Sequence, residues 1–223
     1  MRALWRAAHR LADRLYRRFG PWLFTRRYFE WRYRLSPDPW GYESSPYERR
    51  KYERTLNILP EGRRYRRALE VGCSVGVFTR MLAERGVVEE IVGLDVSERA
   101  LERARRRLAP FERVRLKRAD VIREPLDGPS SYDLIFCAEL LFYFGEAQLR
   151  AVRAKLARAL EPGGHLVLVN PEPSARRIRD VFLETGEFRL VKEHREPDPR
   201  RPYAITLLER TAGIRVRPSA RCP

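Results

Sequence analysis

The chain has 223 residues, of which 43% are hydrophobic, a length and apolar content that suit one compact domain with a terminal extension and leave too little for two full domains. Its formal net charge is +16, yet only Lys51, Lys117, Lys155 and Lys192 are lysines among 46 basic residues, so 42 arginines are spread over nearly every segment, which compositional bias explains as well as a polyanionic partner does. No apolar run approaches the ~18 residues of a membrane span, and Arg2, Arg6, His9 and Arg10 interrupt the place where a secretory apolar stretch would lie, so a cytoplasmic location is expected.

In chain order, Leu4, Ala8, Leu11 and Leu15 recur at helical spacing among Arg6, Arg10, Arg14, Arg17 and Arg18, which predicts an amphipathic helix over 1–18. Gly20-Pro21 stops it. The run from Trp22 to Leu35 alternates aromatics with arginines, as a packing or lid segment would; peripheral membrane contact through this N-terminus is the alternative. Ser36 to Pro46 is rich in Pro, Gly, Ser and Asp and reads as a loop. A helix then runs from Tyr47 to Ile58, opened by Ser45 as cap and Pro46 at the first helical position, and Pro60-Glu61-Gly62 breaks it.

From there the pattern alternates. Ala68 to Val71, Ile91 to Leu94, Val114 to Lys117, Tyr132 to Ala138, His165 to Val169, Phe188 to Lys192 and Ala204 to Leu208 read as strands. Helices are predicted at Val77 to Arg85, Glu98 to Leu108, Glu146 to Leu160 and Ala175 to Thr185. Seven short apolar strands among helices predict an α/β, Rossmann-like fold: a mostly parallel sheet covered by helices on both faces, with an N-terminal helical extension. The expected organisation is an extension over 1–46, the main domain over 47–210 and a loose tail over 211–223.

The chemistry is expected where the first strand meets its helix. A strand, a glycine-bearing loop and a helix bring main-chain N–H groups close to a ligand. The run Glu70-Val71-Gly72-Cys73-Ser74-Val75-Gly76 has Ser74 where a dinucleotide loop has its middle glycine, and Glu70 would repel a pyrophosphate. A sulfonium amino acid joined to a nucleoside carries no phosphate, so the acidic strand end is compatible with it. The next strand ends in Asp95, followed by Val96, where an acid accepts both ribose hydroxyls. Asp120, beyond the third strand, is placed to meet an adenine amino group, with Val121 offering a main-chain contact. Each acid alone is equally at home as a helix cap or turn residue; together they are hard to explain that way. The fourth strand runs into Glu139 and then Tyr143, and ligands of open α/β sheets sit outside the carboxyl ends of the strands, so these two are the candidate catalytic residues. Cys73, Cys137 and Cys222 form no CxxC pair, and His9, His165 and His194 are scattered. No disulfide framework and no metal are expected.

Together these pieces resemble the class I S-adenosylmethionine-dependent methyltransferases over residues 47–209. More narrowly, Asp38-Pro-Trp-Gly-Tyr-Glu-Ser-Ser-Pro-Tyr-Glu-Arg-Arg-Lys-Tyr52, followed by Leu69-Glu-Val-Gly-Cys-Ser-Val-Gly-Val-Phe-Thr79, is similar to the nodulation protein S group of N-methyltransferases, whose members methylate the freed amine of a deacetylated chitooligosaccharide. The resemblance implies S-adenosylmethionine as cofactor and S-adenosylhomocysteine as product. It further implies that Trp40, Tyr47 and Lys51 close the cofactor pocket, with Tyr47 and Lys51 near the methionyl carboxylate. The cofactor set then comprises Glu70, Gly72, Cys73, Ser74, Gly76, Asp95, Val96, Asp120, Val121 and Glu139 besides those three. The long Arg-rich N-terminus departs from the group. The expected reaction is N-methylation of an amine on an amino sugar or another small polar acceptor, with O-methylation or RNA methylation as alternatives. Base methylation commonly uses N/D-P-P-Y/F after the fourth strand, where this chain reads Ala138-Glu-Leu-Leu-Phe142.

Overall fold

A computed structural model of the chain describes residues 25–198 and 201–212; the helix expected over 1–18 and most of the tail lie outside them. The extension supplies α1, Arg26–Leu35, and the next helix is α2, Pro46–Asn57. There follow β1 (Tyr65–Val71), α3 (Val77–Arg85), β2 (Val88–Asp95), α4 (Glu98–Leu108), β3 (Val114–Arg118) and β4 (Tyr132–Ala138). A short 3-10 turn at Leu141–Tyr143 leads into α5 (Glu146–Ala159), β5 (Leu160–Pro171), α6 (Ser174–Leu183), β6 (Phe188–Glu196) and β7 (Tyr203–Arg210). The seven strands form one sheet in the order β3-β2-β1-β4-β5-β7-β6. Only β7 runs antiparallel to its neighbours, so the fold is the Rossmann-like, mostly parallel sheet the pattern predicts.

Burial explains the alternation. Along β4, Leu134 and Phe136 join Phe78 and Leu82 of α3 on one face, while Ile135 and Cys137 join Leu149, Val152 and Phe182 of α5 and α6 on the other. A strand covered on both faces needs apolar residues at both parities, which is why β4 reads as one apolar run. Its exception is Asp133, whose two oxygens accept from the amides of Arg66 and Arg67 at 2.8 and 2.9 Å and pin the start of β1.

Local chemistry sets the helix ends. Ser45 caps α2 through Glu48 N at 3.4 Å, with Pro46 behind it, and Ser97 caps α4 through Ala100 N at 3.3 Å. Gly76 opens α3 at φ +77°, a conformation that costs an L-residue about 1 kcal/mol or more. A Cβ there would stand 2.9 Å from Leu108 Cδ1 and 3.1 Å from Ala104 Cβ. Gly76→Ala is therefore expected to cost about 2–4 kcal/mol, strain and overpacking combined. Denaturant unfolding checks it, and a loss below ~0.5 kcal/mol, the scale of a neutral surface change, would refute the packing argument.

Much of the basic surface is spent within the fold. Arg67 reaches Glu90 at 3.4 Å and Asp127 at 3.2 Å, and Arg115 shares Glu90. Arg150 and Arg153 share Glu184 at 3.0 and 2.9 Å, with Glu146 and Glu187 at the ends of that network.

Candidate functional site

The strand order reverses about β1, which lies between β2 and β4, and the crevice of such a sheet opens at the carboxyl ends of those strands. A cleft of about 830 Å³, measured out to open solvent, lies there. Val71, Leu94, Val121, Ile122 and Leu140 give it apolar walls, and its polar lining includes Asp95, Asp120 and Glu139. Of the expected residues, Trp40, Gly72, Ser74, Asp95, Val96, Asp120, Val121, Glu139 and Tyr143 line it. Glu70 and Cys73 instead line an adjoining lobe of about 390 Å³, which shares Tyr42, Gly72, Ser74, Ala138 and Glu139 with the main cleft. Gly76, Tyr47 and Lys51 line neither.

The glycine loop is not a cradle of free amides. Gly72 N and Cys73 N both donate to Leu94 O at 2.8 Å, Ser74 N to Asp95 Oδ2 at 2.8 Å, and Gly76 N to Cys73 O at 2.9 Å. Main-chain N–H groups of this loop were expected to approach a ligand; these four are bonded within the protein instead, and β2 takes three of them. A phosphate would find few donors here, and a phosphate-free ligand loses nothing.

Asp95 holds the centre. Its Oδ1 accepts from Ser97 N and its Oδ2 from Ser74 N, each at 2.8 Å. Burial pushes its carboxyl up to about 6, against the lowering effect of those two N–H groups. Glu70, a residue back from the end of β1, accepts from Thr79 Oγ1 at 2.6 Å. Burial pushes it up to about 7. Burial likewise raises the Cys73 thiol, with Asp95 adding to the effect, so that sulfur is held as an inert thiol. Asp120 lies two residues past the end of β3 and accepts from Ile122 N at 2.9 Å; the β2–β3 ladder closes just before it, with Ala119 N bonded to Asp95 O at 3.0 Å.

Aromatic residues from the extension roof the cleft. The Tyr33 hydroxyl bonds Ser74 Oγ, its ring meets Trp40 edge-on at 5.3 Å, and Phe29 bridges to Tyr143 at 5.8 Å. Glu30 fastens the same helix down by accepting from Glu98 N at 2.7 Å and Ser97 Oγ at 3.2 Å. Arg103 adds bonds to the carbonyls of Tyr33 and Pro37. Of the uses foreseen for the Trp22–Leu35 run, packing on the main domain is thus what the part from Arg26 onward does. Tyr33, Tyr42 and Phe29 were missed as cleft residues, although the aromatic run that contains two of them was the available signal.

Glu139 sits at φ +54° with its N–H bonded to Val169 O at 2.8 Å, a left-handed position that non-glycine residues hold only when neighbours impose it. Its Oε1 accepts from Lys51 Nζ at 2.7 Å. Lys51, 2% exposed, also meets Glu48 Oε2 at 2.7 Å, and Arg201 reaches the other oxygen of Glu48 at 3.2 Å. Burial alone would lower the Lys51 ammonium, but Glu139 and Glu48 outweigh it and hold it above the ordinary lysine value. Tyr47 donates to the Arg201 carbonyl at 2.5 Å and its ring lies 5.3 Å from Lys51 Nζ. Glu48 was not foreseen; its i,i+3 spacing to Lys51 was the trace it left in the sequence. Among the described residues no group of three His, Cys, Asp or Glu is arranged to hold a metal, and no helix is long and apolar enough to cross a membrane.

Residues 32–178 match the family model of Nodulation protein S (NodS). Nodulation protein S of Rhizobium tropici is 35% identical over 131 residues, covering 58% of this chain and 53% of that protein. The Bradyrhizobium diazoefficiens protein of the same name is 31% identical over 131 residues, covering 58% and 61%. The chain thus spans a little over half the length of these curated relatives. Among solved structures, the N-methyltransferase NodS from Bradyrhizobium japonicum WM9 in complex with S-adenosyl-L-homocysteine superposes with a TM-score of 0.69 at 23% identity, covering 78% of this chain and 93% of that one. That likeness speaks to the fold.

Proposed function

Because the chain belongs to the nodulation protein S family, we propose that it is an S-adenosylmethionine-dependent methyltransferase that methylates an amine, on an amino sugar or another small polar acceptor. The observation that carries this reading is the buried Asp95 carboxylate on an otherwise largely apolar cleft floor, beside a glycine loop in which the amides of Gly72, Cys73, Ser74 and Gly76 are already bonded within the protein. Such a donor set suits a nucleoside without phosphate.

Asp95 would take the ribose hydroxyls, Val121 and Ile122 would flank the adenine with Asp120 at its edge, and the lobe holding Glu70 would take the amino-acid end. When bound, the cofactor supplies a methyl carbon activated by the adjacent sulfonium. The protein's share is placement: holding a nucleophile in line in a water-poor cleft provides most of the rate when the donor is already activated. An amine must also be free of its extra proton. Glu139, which lines both lobes, would orient that amine and offset the positive charge it acquires, with Tyr143 on the wall of the same cleft. Held by Lys51 Nζ at 2.7 Å, this carboxylate acts through its charge and its position.

Calorimetry tests the reading. S-adenosylhomocysteine should bind, and Asp95→Ala should weaken it by about 1.5–3 kcal/mol, the worth of hydrogen bonds to a charged acceptor. Because burial pushes Asp95 up to about 6 and Glu70 up to about 7, both groups hold protons in the folded protein that the unfolded chain has released. Their contribution to stability is complete below the ordinary carboxylate range and is lost as pH rises through 6 to 7. A ligand that donates to the ionised forms should bind more tightly over the same interval, so its thermal stabilisation should grow from about pH 5 to about pH 8. Failure to bind at all would defeat the assignment, and unchanged affinity in Asp95→Ala would remove that residue from the site.

A further inference from the structure

Beside the cleft, across Arg26, lies a second concavity of about 1400 Å³ measured out to open solvent. Arg26, Arg27, Arg34, Arg99 and Arg123 line it together with Trp31, whose side chain is half exposed. Arg26 belongs to the walls of both spaces. The carboxylate of the lining, Glu30, is engaged at the start of α4 and reaches Arg99 only at 4.0 Å. Arg123 has Asp120 at 3.7 Å, an acid that itself lines the cleft. Arg26, Arg27 and Arg34 make no ion pair among the described residues. The rest of the chain has little to offer them: residues 1–24 contain Asp13 as their sole acid against six arginines, and residues 213–223 contain no acidic side chain.

Elsewhere the arginines of this surface are absorbed by glutamates, as Arg150 and Arg153 are. Five guanidinium groups around one hollow, with one carboxylate, repel each other and hold a positive potential that a compact multivalent anion relieves. Guanidinium forks match phosphate oxygens two at a time, and a phosphate monoester carries about −1.5 to −2 at neutral pH, so one phosphate offsets about half of the excess charge of the lining and a diphosphate more of it. The rim face of Trp31 suits the ring or chain that carries it.

Resting on the methyltransferase reading above, we propose that the acceptor is a phosphorylated amine, whose amine enters the cleft by Glu139 while its phosphate sits among Arg26, Arg27, Arg34 and Arg99. The wall shared at Arg26 lets both ends belong to one small molecule. A concave basin that shares the Arg26 wall with the cleft favours such a molecule over an extended polymer or a flat lipid surface.

The test compares matched acceptors that differ in the phosphate alone, glucosamine with glucosamine 6-phosphate and ethanolamine with phosphoethanolamine, by following S-adenosylhomocysteine release. Within at least one pair, kcat/KM is expected to favour the phosphorylated member by about 10- to 100-fold, mainly through KM, and the preference should shrink at ~0.5 M salt. Arg27→Gln combined with Arg34→Gln should abolish most of that preference while S-adenosylhomocysteine affinity stays constant. Independently of turnover, inorganic pyrophosphate should bind the native protein and not the double variant. Equal kcat/KM within both pairs, with S-adenosylhomocysteine bound normally, would overturn this inference alone. Pyrophosphate binding without S-adenosylhomocysteine binding would overturn the methyltransferase reading and the acceptor with it. Methylation of phosphatidylethanolamine vesicles with no preference within the soluble pairs would assign the arginines to a membrane surface and overturn the proposal.

Discussion

Glu139→Gln is expected to lower turnover by about 10²- to 10⁴-fold, the range for losing a positioned acid or base, while S-adenosylhomocysteine affinity changes little. The substitution keeps the side chain's shape and its ability to accept from Lys51, which bonds Oε1 at 2.7 Å, and removes the charge from a residue that lines both lobes of the cavity. A loss confined to kcat would mean that Glu139 acts on the reacting amine. Loss of thermal stability and ligand affinity together would make it a structural residue, and full turnover would show that proximity suffices. A panel of amino sugars, simple amines and phenols can serve as acceptors; methylation confined to the phenols would defeat N-methylation and leave the enzyme class standing.

Lys51→Met should be the most destabilising single change in the site. It strands Glu48, which is fully buried, and takes the partner from Glu139, since Lys51 Nζ lies 2.7 Å from an oxygen of each. Breaking a buried pair by removing one partner costs about 3–5 kcal/mol, although Arg201 at 3.2 Å from Glu48 keeps the estimate toward the lower end. Denaturant unfolding of Lys51→Met, Glu48→Gln and the double variant measures the coupling. The double variant should be more stable than Lys51→Met, because its buried amide no longer carries a charge. Since the Lys51 ammonium is raised above its ordinary value, its contribution is present throughout the neutral range and is lost only as alkaline pH passes the raised value. A cost below ~1 kcal/mol, the ceiling for exposed pairs, would mean that the network is solvated.

The sheet was legible because its central strands are covered on both sides. β4, α3 and α4 have the bounds that periodicity assigns them. β1 and β2 begin three residues earlier than expected, at Tyr65 and Val88, since Arg66-Arg67 and Glu89-Glu90 look like loop and are in fact strand ends, where Arg67 pairs with Glu90 and Arg66 with Glu161. β6 runs on to Glu196 because an edge strand needs no apolar run. In the cleft, the residues signalled by strand ends, Asp95, Asp120 and Glu139, are brought together. Topology alone predicts that. Less legible was anything that depends on which way a side chain turns from its helix: Lys51 faces two carboxylates, and Gly76 serves the packing of α3 on α4, distinctions that no spacing encodes. Tyr33 and Phe29 were hidden because an aromatic-arginine run fits a roof, a surface and a membrane contact alike.

The shared carboxylates of the surface bear on how the protein responds to heat. Glu184 between Arg150 and Arg153, and Glu90 between Arg67 and Arg115, contribute little at room temperature, where water competes well for each charge. Hydration of ions weakens as temperature rises, whereas apolar burial gains little more per unit area. A chain that takes its cations almost entirely as arginine, and links many of them into networks, therefore places a growing share of its cohesion on its exterior as it warms.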